Sequence, residues 1–125
     1  MNDPEVTMAA IPHQQDLVAY TRALEAAGDA LALVRRAPAP LRSLADQLVR
    51  AACSVPGNLA EGQDRTGRDR MQHWRIAYAS AKEVDCHLRL LARCGAIDRR
   101  SAERALRLFD EVRAMTWRML HPRTS

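Results

Sequence analysis

Residues Gln47 to Gly62, which read QLVRAACSVPGNLAEG, decide how this chain folds. Apolar residues recur here at steps of three and four, the spacing of an amphipathic helix: Leu44, Ala45, Leu48, Ala52, Val55, Leu59 and Ala60. Pro56 interrupts the pattern, because a proline inside a helix lacks an N–H donor and clashes with the carbonyl four residues back. Two interpretations are open. One is a single proline-kinked helix, which the resumed pattern favours, and the other is two helices that meet at Ser54.

Ser54, Asn58 and Glu61 lie on one face of this helix, because they are spaced by four and three residues. Polar groups beside small apolar residues predict a hydrogen-bonded network at a packed surface. The spacing is equally compatible with an exposed polar stripe.

The same segment resembles the signature of a bacterial four-helix-bundle family whose first members are encoded in intervening sequences of 23S rRNA genes. That signature typically reads QLRRAAxSIPxNIAEG. The matching positions include Ser54, Pro56, Asn58, Glu61 and Gly62, whereas Val49 stands where the family has an arginine. A second block from Arg75 onward resembles the family's I-A-x-G-S-x-x-E, with Ser80 and Glu83 matching and Ala79 replacing the glycine. The resemblance extends from Leu17 to Leu120 and implies a ring of identical subunits, commonly a pentamer.

Length and composition predict one all-α domain. The chain has 125 residues, is rich in Ala, Leu and Arg, and contains few glycines and aromatics. We expect a disordered N-terminal tail over residues 1–12, a bundle over 13–121 and a C-terminal tail over 122–125. Pro38 and Pro40, Thr66, and the Gly95–Asp98 segment separate four helical patterns, which predicts an up-down-up-down four-helix bundle.

Each predicted helix has an apolar seam that should face the core. The first is a heptad seam of Leu17, Tyr20, Leu24, Ala27, Leu31 and Val34. The third helix has Trp74, Ala77, Ala81, Val84, Leu88 and Leu91, and the fourth has Ala105, Leu108, Val112, Met115 and Met119. Four further apolar residues exceed what a four-helix core requires and predict a homo-oligomer interface: Ile76, Leu90, Phe109 and Trp117.

The sequence offers little support for catalysis. Glu83 and Glu61 lack the histidine that a di-iron or di-manganese bundle needs three residues later, so we expect no metal and no cofactor. No cysteine–histidine pair has an orienting group, and no glycine loop could hold a phosphate. The cysteines, Cys53, Cys86 and Cys94, are expected to act as small apolar residues of a cytoplasmic protein. No apolar run is long enough for a membrane span.

Positive charge is concentrated in the second half of the chain. The third and fourth helices each carry six basic residues against three acidic ones, and the whole chain has a net charge of +4. This asymmetry is typical of phosphate binding, although a salt-bridged solvent face gives the same pattern. The candidate nucleic-acid-binding residues are Arg75, Arg89, Arg93, Arg100, Arg104 and Arg107. With few aromatics, base stacking should contribute little.

The sequence therefore predicts a non-enzymatic, oligomeric helical bundle that binds RNA or DNA through basic surfaces. The family resemblance implies two settings: rRNA intervening sequences, and diversity-generating retroelements, in which related accessory proteins bind nucleic acid and a reverse transcriptase. The alternative is a structural or protein-interaction module with no nucleic-acid role.

Overall fold

The computed structural model describes residues 14–123 and contains four long helices. They are α1 (Gln14–Val34), α2 (Arg42–Gln63), α3 (Gly67–Arg93) and α4 (Arg99–Leu120), with a 3-10 turn at Ala39–Leu41. Each helix packs against the next, and α1 also packs against α4, so the four helices enclose one core. No strand occurs within residues 14–123, and the predicted four-helix bundle is confirmed. The predicted disordered segment, residues 1–12, lies outside the described part of the chain.

The ends of the helices follow local chemistry. Gly95 follows α3 with a φ of +77°, a conformation that glycine adopts without steric cost. Asp98 caps α4, because its carboxylate accepts a 2.9 Å hydrogen bond from the backbone N–H of Ser101. This bond lowers the pKa of the Asp98 carboxyl. Thr66 occupies the N-cap of α3, but its side chain makes no capping hydrogen bond.

Pro56 lies inside α2, which runs without interruption from Arg42 to Gln63. The interpretation with a single helix is therefore confirmed, and the one with two helices meeting at Ser54 is wrong. Pro56 is buried in the core beside Val55 and Leu59. Burial of these side chains stabilises the segment and offsets the backbone hydrogen bond that a proline cannot donate.

The residues predicted to be buried agree best with those that the structure buries along α3. All six residues of its predicted seam are buried, from Trp74 to Leu91. In α4, Ala105, Val112 and Met119 are buried as predicted, whereas Leu108 and Met115 are only partly buried. Phe109 is fully buried and fills the centre of the core, so its assignment to a subunit interface is wrong.

The predicted seam of α1 is confirmed only at Ala27 and Val34, which are buried, and is wrong at its leucines. Leu17 and Leu24 are about half exposed, at 50% and 49%, and Leu31 is only partly buried. The face that packs into the core is instead a stripe of alanines, Ala19, Ala23, Ala26 and Ala30, each with no exposed surface. Small side chains let α1 lie close to its neighbours, and hydrophobicity alone does not distinguish this face from the leucine face. The heptad of leucines consequently points outward.

Cysteine positions also differ from the prediction. Cys53, Cys86 and Cys94 are all free and exposed, so none contributes to the core as a small apolar residue.

Candidate functional site

The polar face of α2 meets α3 in a series of linked hydrogen bonds. The amide nitrogen of Asn58 donates to the carbonyl oxygen of Ser54 at 2.9 Å and to its Oγ at 3.0 Å. The hydroxyl of Ser80, on α3, donates to the same Oγ at 2.9 Å. His73 Nδ1 lies 3.0 Å from the amide oxygen of Asn58. These partly buried groups join α2 to α3 through side chains that satisfy one another.

These hydrogen bonds also specify which ring nitrogen of His73 carries the proton. A backbone carbonyl can only accept, so the side of the Asn58 amide that faces Ser54 must be its nitrogen. The amide oxygen then faces His73, whose Nδ1 must carry the proton and donate. At both ends of the network, a side chain of α3 therefore donates a hydrogen bond to a side chain of α2.

Gly62 has a different role, which is to allow a close helix contact. A Cβ built on Gly62 would lie 2.4 Å from Nε1 of Trp74, far inside van der Waals contact. The guanidinium of Arg70 lies 5.5 Å from the centre of the Trp74 ring. It also donates to the carbonyls of Gly62 and Gln63, at 2.9 and 3.1 Å. Arg70 thus caps the last turn of α2 while it packs on the indole.

The two glutamates of the predicted structural signature lie outside this network. Glu61 is exposed and pairs with Arg65 at 3.2 Å, and Arg65 also contacts Asp69 at 2.9 Å. The hydrogen bond from Arg65 to Asp69, with a smaller contribution from Glu61, raises the pKa of the guanidinium. Glu83 lies 3.4 Å from His87 within α3. The predicted common face of Ser54, Asn58 and Glu61 is therefore divided into a partly buried network and a surface ion pair.

Arginines collect at the end of the bundle where α1 and α3 end and α4 begins. This basic end, as we call it, comprises Arg35, Arg36, Arg93, Arg99, Arg100 and Arg104. Arg35, Arg36 and Arg104 line one groove there, and Arg93 and Arg99 line a second one. Within residues 14–123, Arg104 alone among the six has a carboxylate within 4.0 Å, Asp29 at 3.7 Å. The other five guanidinium groups are exposed and free to bind an anion.

The structure separates the six arginines proposed from the sequence. Arg93, Arg100 and Arg104 belong to the basic end, and Arg107 lies one turn further along α4. Arg89 donates to Asp85 at 2.7 Å, and this hydrogen bond raises the pKa of the guanidinium. Arg75 is exposed on α3, roughly 27 Å along the helix axis from Arg93 at 1.5 Å per residue. It cannot belong to the same compact patch.

Four contributing residues, three arginines and one histidine, were missed from the sequence. Arg35, Arg36 and Arg99 were not among the arginines proposed from the sequence, although the bundle topology brings Arg35 and Arg36 beside the start of α4. Their position could have been inferred, because up-down-up-down order places the first and third helix ends together. The contact of His73 with Asn58 had no signal in the sequence, since fifteen residues and a turn separate the two.

The described residues hold no cluster suited to a metal ion. No group of three or more histidine, cysteine, aspartate or glutamate side chains converges within residues 14–123. In the same range, no helix combines the length and apolar character that crossing a lipid bilayer requires.

Comparison with known proteins agrees with the geometry. The family model described as "23S rRNA-intervening sequence protein" matches residues 15–118. A crystal structure of a protein of unknown function from Bacteroides thetaiotaomicron VPI-5482, described as a member of the S23 ribosomal protein family, superposes with a TM-score of 0.79. It has 22% sequence identity, and the match covers 86% of this chain and 99% of that one, which shows a shared fold. No curated protein is significantly similar to this chain.

The family model spans most of the chain, including the Ser54–Asn58 network, the Gly62–Trp74 contact and nearly all of the bundle. This chain therefore belongs to the 23S rRNA-intervening sequence protein family.

Proposed function

We propose that this protein is a non-enzymatic, homo-oligomeric bundle that binds the backbone of RNA or DNA through its basic end. One observation carries the proposal: five of the six arginines at that end have no carboxylate within 4.0 Å in residues 14–123. Arginines held in ion pairs contribute little to anion binding, whereas free guanidinium groups can contact phosphate bidentately. Membership of a family first described from 23S rRNA genes supports a nucleic-acid partner.

Binding at the basic end should be sequence-independent. The arginines lie at the ends of helices and line open grooves, where guanidinium groups can contact phosphates. Contacts of this kind neutralise phosphates and release counterions, so affinity falls steeply as salt increases. Assembly into a ring, commonly a pentamer in the family, would repeat the basic end around an axis and increase the avidity.

Two variants with equal charge test the proposal. Arg99→Gln/Arg100→Gln removes two charges from the basic end, and Arg50→Gln/Arg68→Gln removes two exposed arginines elsewhere that also lack a carboxylate within 4.0 Å in the described chain. We expect the first to reduce the slope of log K against log salt by about two for duplex DNA, and the second to leave it unchanged. Fluorescence anisotropy over a salt series measures both slopes. Equal slopes in the two variants would reject the basic end as the site.

A more specific role is also proposed: service as an accessory subunit to the reverse transcriptase of a diversity-generating retroelement. The family resemblance supports it, together with the positive surface that a complex on a nucleic-acid template requires. Co-expression of the protein with a reverse transcriptase encoded beside it, followed by affinity purification, tests this role. Failure of nucleic-acid binding with retention of a protein partner would favour the alternative, a protein-interaction module.

A further inference from the structure

A second cleft lies on the bundle away from the basic end. It has a volume of about 1150 Å³ and lies between α3 and the C-terminal half of α4. Tyr78 and Lys82 line it from α3, and Trp117 lines it from α4. Trp117 follows Arg99 by eighteen residues, which separates the cleft from the start of α4 by roughly 27 Å. The two sites can therefore be altered independently.

An exposed aromatic surface forms the floor of this cleft. Trp117 is 49% exposed, unlike the buried Trp74. The imidazole of His121 stacks on the indole with 4.1 Å between ring centres and 24° between ring planes. His121 Nδ1 donates to the carbonyl oxygen of Trp117 at 2.8 Å, which holds the imidazole in place. The pair presents a pre-formed, half-exposed aromatic platform, and such a platform accepts a planar ring by stacking.

Positive charge surrounds the platform. Four cationic side chains line the cleft, Lys82, Arg113, Arg118 and Arg123, against a single carboxylate, that of Asp110. Asp110 pairs with Arg113, while Lys82 lies 5.9 Å from the centre of the Tyr78 ring and has no carboxylate within 4.0 Å in the described chain. This charge excludes a cationic ligand, for which aromatic cages are otherwise suited. It favours a planar ring that carries negative charge.

An unpaired nucleotide combines these two properties. We propose, on the basis of the nucleic-acid role argued above, that the cleft binds one nucleotide of a single strand. Its base stacks on Trp117, and its phosphate is held by Lys82 and Arg118. Base–aromatic stacking is tolerant of sequence, so the cleft adds a preference for single strands without selecting a base. This proposal departs from the expectation that base stacking contributes little, because the exposed Trp117 lines the same cleft as Lys82, the only lysine of the chain.

The test measures the affinity of the full chain for two fluorescein-labelled ligands of equal charge, a single-stranded oligothymidylate and a hairpin duplex. Trp117→Ala should weaken binding of the single strand about tenfold, Trp117→Phe should retain most of the affinity, and duplex binding should not change. Lys82→Gln should weaken single-strand binding as well. Leu90→Ala is the matched control, since Leu90 is also 49% exposed and lies on α3. Circular dichroism checks that each variant is folded.

The outcomes separate the two proposals. If the wild-type protein bound neither the duplex nor the single strand, the proposed function itself would fail. If it bound both and Trp117→Ala bound the single strand unchanged, the cleft assignment alone would be overturned. Tryptophan fluorescence gives a further test. If thymidine monophosphate quenched it as strongly as the oligonucleotide does, the cleft would be assigned to a free nucleotide and not to a nucleotide within a strand.

Discussion

At the scale of single residues, Gly62 shows how one missing side chain can position two helices. The carbonyls at the end of α2 accept from Arg70, and the indole of Trp74 lies where a Cβ of residue 62 would be. Gly57 lies in the same helix, and a Cβ there would meet nothing within 4 Å. Both are helical glycines, so they have the same intrinsic propensity and differ only in their surroundings.

This difference gives a matched pair of substitutions. Gly62→Ala should destabilise the fold by about 1–3 kcal/mol, because the new methyl group forces Trp74 to move in a packed interior. Gly57→Ala should stabilise it by up to about 1 kcal/mol, because alanine loses less backbone entropy in a helix. Urea unfolding followed by circular dichroism measures both. Equal midpoints for the two variants would show that the contact with Trp74 is unimportant.

At the scale of elements, the α2–α3 pair depends on a network that passes between the helices. Asn58 is its central member, since it bonds Ser54 on its own helix and His73 on the other. Asn58→Leu should cost about 1–3 kcal/mol, because it leaves partly buried donors and acceptors without a partner. Glu61→Leu, one turn away, should change stability by no more than about 0.5 kcal/mol, because Glu61 is an exposed ion-pair residue.

A double variant separates the effect of the Asn58–His73 contact from the effect of placing a leucine at either position. Asn58→Leu/His73→Leu removes both members of the inter-helix bond, so its cost in unfolding free energy should be smaller than the sum of the single costs. Additive costs would mean that the Asn58–His73 contact contributes no coupling. A cost for Glu61→Leu as large as that for Asn58→Leu would contradict the division of the polar face into network and surface.

At the scale of the whole molecule, the exposed leucines of α1 bear on assembly. Leu17, Leu24 and Leu31 are spaced by seven residues, as in a helix that packs lengthwise against another, yet no neighbour in the described chain covers the first two. Exposed apolar surface of this kind is typical of subunit contacts. We therefore place the candidate interface of the proposed homo-oligomer on α1, and not at the exposed Ile76, Leu90 and Trp117 to which it was assigned from the sequence.

Light scattering tests this interface. The wild-type protein should have a mass several times the 14.0 kDa of one chain, and Leu17→Gln/Leu24→Gln should reduce it to that of a single chain. Ile76→Gln/Leu90→Gln makes the same change on α3 and should leave the mass unaltered. A wild-type mass of one chain at micromolar concentration would remove the oligomer from the proposal, and a loss of mass confined to the α3 variant would move the interface there.

The sequence by itself determined the helices, their order and the buried stripe of α3. The signals for these features act over a few residues, so each can be identified in the local sequence. They are the apolar periodicity, the prolines, Gly95 and the Asp98 cap. Even the network of Ser54 and Asn58 was indicated by spacing, although Glu61 was wrongly included in that face.

Only the tertiary structure decided which face of α1 is buried, where Gly62 meets Trp74, and which arginines stand together. The alanine and leucine faces of α1 are both apolar, so the choice between them depends on how closely the neighbouring helices approach. The basic end joins residues of α3, α4 and the turn that follows α1, and the cleft at Trp117 joins α3 to α4. Such groupings depend on distances between helices, which no local pattern of residues encodes.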